Sequence, residues 1–139
     1  METSCGVVLV NLGAVLLLQY PQGHWDFPKG HVEDRDGGDH RRTVRREVEE
    51  ETGIVDLDFV DAFQDRSSYS FRHKGRLVHK EVHWLLAETE TLEVRLSHEH
   101  RGHLWLDWEQ AEEVLSHEES RAVLRSARDM MRALGRDGS

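Results

Sequence analysis

Residues 7–18 are apolar except for Asn11 and Gly13, and any fold of this chain has to bury them. The β-branched Val7, Val8 and Val10 favour extended backbone. Asn11, Leu12 and Gly13 supply a turn, so residues 5–12 and 14–19 read as an opening β-hairpin. The run is too short to span a bilayer and no basic flank precedes it. Neither a membrane anchor nor a signal peptide is therefore expected, and no membrane partner. With the lone Cys5, which cannot form an internal disulfide, this points to a reducing, cytoplasmic setting. A length of 139 residues suits one domain, taken as 1–139.

The rest of the chain alternates loops, helices and strands. Residues 20–39 are rich in Gly, Pro and Asp and read as a long loop, a length usually kept for function. Residues 41–52 lack Gly and Pro, are dense in Glu and Arg, and stop at Gly53, so they predict a helix. Residues 54–64, 68–73 and 77–88 read as strands, with Lys74-Gly75 turning between the last two, and 103–106 as a short strand. Asp107 with Gln110, and Ser116 with Glu119, both fit capping boxes that open helices. The second of these helices carries a stripe of Val123, Ala127, Met130 and Leu134 for core packing and stops at Gly135. The order predicts an α/β fold, a mixed β-sheet covered by helices in an α/β/α sandwich.

Charge narrows the partners. Eighteen Lys and Arg against 27 Asp and Glu give a net charge of −9, which argues against a grip on long nucleic acid. Locally the balance reverses: residues 66–80 hold Arg66, Arg72, Lys74, Arg76 and Lys80 and no acid. Such a tract is either a solvated hairpin or a seat for a small anion.

The helix at 41–52 concentrates the opposite sign. At about 100° per residue, Glu50 and Glu51 fall near 300° and 40° from Glu47, while Glu49 points away near 200°. Three carboxylates therefore share one face. Either this is a solvated acidic face, or the carboxylates hold a hard divalent cation.

The run Arg46-Glu47-Val48-Glu49-Glu50-Glu51-Thr52-Gly53-Ile54 resembles the box of the Nudix hydrolase family: Gly, five residues, Glu, seven residues, Arg-Glu-U-x-Glu-Glu-x-Gly-U, with U a bulky aliphatic. Pro28-Lys29-Gly30 stands where the box begins. The second half is filled completely; the first departs, since Gly30 and Arg46 are 16 positions apart, two more than the box allows. Counting forward puts Asp36 at the first carboxylate; counting back puts Gly38 there, beside Asp39. The resemblance implies a Nudix sandwich that hydrolyses a nucleoside diphosphate linked to another group, using Mg²⁺ or Mn²⁺. By the same resemblance Glu47, Glu50, Glu51 and the Gly30 carbonyl would hold the metal. Arg46 would pair with a box carboxylate.

Four further stretches are similar to asymmetric diadenosine tetraphosphate hydrolases of this family: His24-Trp25, residues 28–33, residues 80–88, and Arg95-Leu96-Ser97-His98-Glu99-His100. That likeness implies a small nucleotide polyphosphate as substrate, cut to ATP and AMP. Lys29, His31 and Lys80 would touch phosphates, Tyr69 would meet the nucleotide, and Trp84 would stack on adenine or sit in the core. Glu99 would ligate metal or take the proton of the attacking water, with Glu47 the second candidate for that base. The competing readings are a nucleoside triphosphate or RNA 5′-end pyrophosphohydrolase of the same family, or a module that binds nucleotide without cutting it. The sequence does not give the oligomeric state.

Overall fold

In the computed structural model, which describes residues 2–138, the opening hairpin forms, but its strands stay together only beside the turn. β1 (Glu2–Asn11) and β2 (Ala14–Gln19) pair at Val10–Val15 and Asn11–Ala14, through a turn with Leu12 and Gly13 at φ 43° and 85°. Beyond that point two short strands part them. β3 (Trp25–Asp26) pairs with β2, and β4 (Lys29–His31) pairs with β1. The segment expected as one long loop, 20–39, thus holds two strands and a 3-10 turn at Asp34–Asp36. It lacks an apolar alternation of its own; its backbone groups pair with edges that β1 and β2 leave open.

β5 (Asp58–Phe59), β6 (Asp65–His73) and β7 (Arg76–Glu88) complete one side of the sheet, and β8 (Gly102–Asp107) covers the outer edge of β2. β7 runs parallel to β1 and antiparallel to β5 and β6, so the sheet is mixed, as expected. The strand expected over 54–64 shrinks to the two residues of β5. Ile54, Leu57, Val60 and Phe63 are buried at a spacing of three, not two, and pin a loop to the core where alternation would have built a strand.

Helices close both faces. α1 (His40–Thr52) lays Val44 and Val48 on Cys5, Val7, Leu9, Leu16 and Leu18. α2 (Trp108–Val114) and α3 (Glu118–Ala133) cover Val8, Val10, Val15 and Leu17 on the opposite face. Odd and even positions of β1 therefore serve different layers, which is the predicted α/β/α sandwich. The Asp39 side chain accepts from the Arg41 amide to open α1, and Asp107 accepts from the Gln110 amide to open α2. Ser116 does not cap α3. His117 occupies that position, and the Ser116 hydroxyl instead accepts from the Trp25 amide at 2.9 Å. The buried stripe of α3 is Ser120, Val123, Leu124, Ala127 and Met131; the expected Leu134 is 45% exposed. Leu134 falls at the C-cap, past the last helical residue, and Ser120 has a buried partner on β3. Among the described residues no helix is long and apolar enough to cross a membrane.

Candidate active site

A cleft of about 900 Å³ opens where β3 and β4 separate β1 from β2. Because the sheet is split there, residues from both of its faces reach the same space. Glu47, Glu50 and Glu51 of α1 line it, as does Glu99 from the loop after β7; the Glu49 side chain is turned to solvent. That loop is fastened to the end of α1 by the Arg95 amide donating to the Thr52 carbonyl at 2.8 Å and the Ser97 amide to that of Glu51 at 3.1 Å. The two bonds bring Glu99 to the box glutamates from 48 positions away.

The irregular first half of the box resolves in favour of Asp36. Its carboxylate is 3% exposed and accepts from Arg46 Nε at 3.1 Å and Nη2 at 2.9 Å, from the Thr43 hydroxyl at 2.8 Å, and from the Glu33 amide at 2.8 Å. The Arg46 guanidinium holds this carboxyl far below the usual carboxylate range. The two extra residues follow it: Gly37 and Gly38 take φ of 64° and 77°, left-handed conformations that let the inserted loop turn back into Asp39. Neither Gly38 nor Asp39 supplies the first carboxylate.

Arg46 is the hub of the helix face. Besides Asp36 it reaches Glu47 at 2.6 Å, Glu33 at 2.9 Å, Glu50 at 3.7 Å and the His31 carbonyl at 2.9 Å. One cation thus ties α1 to β4 and spreads over four carboxylates. The convergence read from helical periodicity holds at the scale of the cleft. Among the described residues no three His, Cys, Asp or Glu side chains stand close enough to grip one ion, because Glu47 and Glu50 lean on Arg46. Like charges spread apart unless a cation gathers them.

Three features fit a divalent cation here. Glu51 is 6% exposed, and its Oε2 has no hydrogen-bond partner. Burial, followed by the charges of Glu47, Glu99 and Glu50, pushes its carboxyl up to about 9. Burial also raises Glu47, against the pull of Arg46. A Cβ on Gly30 would stand 2.0 Å from the Glu47 carboxyl carbon, so only glycine lets that carboxylate pass close to the β4 backbone. Such a cation binds hard oxygen donors and takes the place of the proton that Glu51 otherwise keeps.

Basic and aromatic residues line the same cleft. Lys29 and His31 of β4, and Tyr69 and Lys80, which pair across β6 and β7, all line the cleft. Lys29 is held by Asp26 at 2.9 Å. Of the two readings of Trp84, the geometry favours the core: it borders the cleft but is 3% exposed, its indole N–H donates to the Ser67 hydroxyl at 3.0 Å, and its ring meets Phe27 edge-on. It supports the cleft floor from the core and offers no free face to a base. Gly6 lies directly against that ring, where any Cβ would stand 2.3 Å away.

Sequence reasoning missed part of this lining. Tyr20 stacks on His24 at 5.0 Å and meets His100 edge-on at 4.8 Å, while His117 from α3 stands 5.4 Å from His24. Asp26 and Ser120 complete that end. Asp26 lies between the quoted stretches His24-Trp25 and 28–33, and nothing local in the sequence marks His117 or Ser120 as facing a cleft some ninety positions away.

The NUDIX domain profile matches residues 2–127. The chain belongs to the Nudix family. Nudix hydrolases generally require a divalent metal, in keeping with the donor set just described. The sequence is 35% identical, over 121 residues, to the asymmetrical bis(5′-nucleosyl)-tetraphosphatase of Mus musculus, covering 84% of this chain and 79% of that protein. The structure is similar to that of a Caenorhabditis elegans Ap4A hydrolase binary complex, with a TM-score of 0.81 and 29% identity over 96% of this chain and 99% of that one. It also shares its Nudix fold with the Escherichia coli dihydroneopterin triphosphate pyrophosphohydrolase, at a TM-score of 0.76 and 21% identity over 89% of this chain and 92% of that one.

Proposed function

We propose that this Nudix chain is a pyrophosphohydrolase of dinucleoside polyphosphates, taking diadenosine tetraphosphate to ATP and AMP by attack of water on phosphorus. The observation that carries the reading is the polarity of the cleft. Glu47, Glu50, Glu51 and Glu99 line one space together with Lys29, His31, Lys80 and Tyr69. A polyphosphate accompanied by a divalent cation matches both sets of charge at once; a neutral ligand matches neither. The two relatives named for asymmetrical tetraphosphatase or Ap4A hydrolase activity support the choice of substrate.

Glu47, Glu50, Glu51, Glu99 and the Gly30 carbonyl would hold Mg²⁺ or Mn²⁺. When bound, such an ion neutralises phosphate oxygens and makes water a better nucleophile at neutral pH. The chain's own residues do the remaining work. Arg46 fixes the Glu47 carboxylate and the β4 backbone in one frame, a positioning task. Glu99 takes the proton of the attacking water, with Glu47 as the second choice. As the new oxygen–phosphorus bond forms, the anhydride bond opposite breaks and the leaving phosphate carries away the electron pair. Lys29, His31 and Lys80 hold the phosphates, and Tyr69 meets the nucleoside. We place this activity in one domain, in the cytoplasm, on a small nucleotide and not on long nucleic acid.

The test is product analysis after incubating diadenosine tetraphosphate with the protein and Mg²⁺ in ordinary and ¹⁸O-labelled water. Equal ATP and AMP, with label in one product only, is expected. Two ADP per substrate, or no turnover, would sink the assignment.

A further inference from the structure

Asp26 is 1% exposed, and a carboxylate so deeply buried is tolerated only when its oxygens are fully used. They are. Oδ1 accepts from the Phe27 amide at 2.8 Å and from the Ser120 hydroxyl at 2.8 Å, and Oδ2 holds the Lys29 ammonium at 2.9 Å. Ser120 belongs to the first turn of α3, 94 residues away in sequence. The same helix entrance is stitched to β3 by a reciprocal pair: the Ser116 amide donates to the Trp25 carbonyl at 3.2 Å, and the Trp25 amide donates to the Ser116 hydroxyl at 2.9 Å. A rigid chain of contacts therefore runs from the outer helix layer through Ser120 and Asp26 to the tip of one side chain in the cleft.

We infer that Asp26, braced by Ser120, is a positioning residue for catalysis that fixes the Lys29 ammonium toward the phosphates. An ammonium has three N–H donors. Asp26 takes one of them, and the two others remain for phosphate oxygens. Lys29 carries a flexible four-carbon stem, and an unanchored lysine would spend rotamer entropy each time it met its substrate. Asp26 settles that cost at folding, before substrate arrives, which is pre-organisation of the phosphate contact. Asp26 itself touches no reacting atom. Its effect passes wholly through Lys29, and that of Ser120 passes through Asp26.

The inference rests on the reading of Lys29 as a phosphate contact, so its test has one arm that needs no substrate. In a ¹H–¹⁵N spectrum of lysine side chains at low temperature and mildly acid pH, the Lys29 ammonium should give a resolved signal, because its ion pair slows exchange. Asp26→Asn should erase that signal and Ser120→Ala should weaken it; an unchanged Lys29 signal in Asp26→Asn overturns the inference, whatever the substrate. In the kinetic arm, Asp26→Asn should lower kcat/KM for diadenosine tetraphosphate about tenfold, chiefly through KM, since Lys29 holds phosphate in ground and transition states alike. Ser120→Ala should cost about threefold. In a Lys29→Met background both substitutions should change kcat/KM by less than twofold. Equal losses with and without Lys29 would make Asp26 a structural residue only and refute the inference. Thermal melts run alongside separate unfolding from lost positioning. If wild type turns over no substrate, the proposed function fails, and the spectrum still decides whether Asp26 anchors Lys29.

Discussion

Replacing Glu51 with Gln should stabilise the metal-free protein at neutral pH while abolishing hydrolysis. Glu51 is 6% exposed with one unpartnered oxygen, and burial with three neighbouring glutamates moves its carboxyl from the ordinary 4.5 up to about 9. The unfolded chain ionises it at the ordinary value. Below pH 4.5 both states keep the proton and the contribution of this group to stability is fully present. As pH rises toward 9, the folded state retains a proton that the unfolded state has released, and stability falls by about 1.4 kcal/mol per pH unit. At pH 7, about 2.5 units into that window, the loss is about 3 kcal/mol. Glutamine has nearly the same shape and no such loss. In EDTA the variant should therefore melt with wild type near pH 4.5 and about 10 °C above it at pH 7. Saturating Mg²⁺ should narrow the gap by stabilising wild type alone. Differential scanning calorimetry at both pH values, with and without metal, gives all four comparisons. A variant that melts at or below wild type in EDTA at pH 7, or a gap that persists at acid pH, refutes the reasoning.

Other substitutions test the frame around that carboxylate. Arg46→Ala leaves Asp36 buried without its guanidinium and should cost about 3–5 kcal/mol in urea unfolding, with Arg46→Lys restoring only part because it lacks the forked donors. Asp36 is held low by Arg46, so its contribution is present above the ordinary carboxylate pKa and lost as pH falls below it. Asp36→Asn should accordingly flatten the acid side of a melting-temperature profile against pH. Gly30→Ala should drop kcat/KM at least 100-fold while far-ultraviolet circular dichroism stays native, because the new methyl displaces the Glu47 carboxylate. Trp84→Ala should cost about 3–5 kcal/mol of stability and leave KM of the folded fraction within threefold, as expected of a core ring and not of a base platform.

The chemistry of α1 was legible from the chain because helical periodicity is a local property. Once residues 41–52 are read as a helix, Glu47, Glu50 and Glu51 must share a face and Glu49 must leave it, and they do. The first carboxylate was ambiguous because counting along a loop says nothing about where the insertion bulges; the bonds from Arg46 and Thr43 choose Asp36. Ser116 fitted a capping pattern yet caps nothing, since a competing amide, that of Trp25, reaches its hydroxyl from another element. Residues 54–64 were apolar enough for a strand, but their burial at every third position belongs to a loop pinned on the core.

By itself, then, the order of residues determined the sandwich, the acidic helix face, the glycine beside it and the basic tract, because each follows from period, capping or charge within a short window. Tertiary structure alone decided that β1 and β2 part to admit a cleft, that Glu99 joins the box glutamates, and that Trp84 supports the floor. It also decided that Ser120 reaches across the sheet edge to hold Asp26 against Lys29. These depend on which backbone and side-chain groups meet after folding, and elements tens of residues apart settle that only by competing for one another's hydrogen bonds and buried surface.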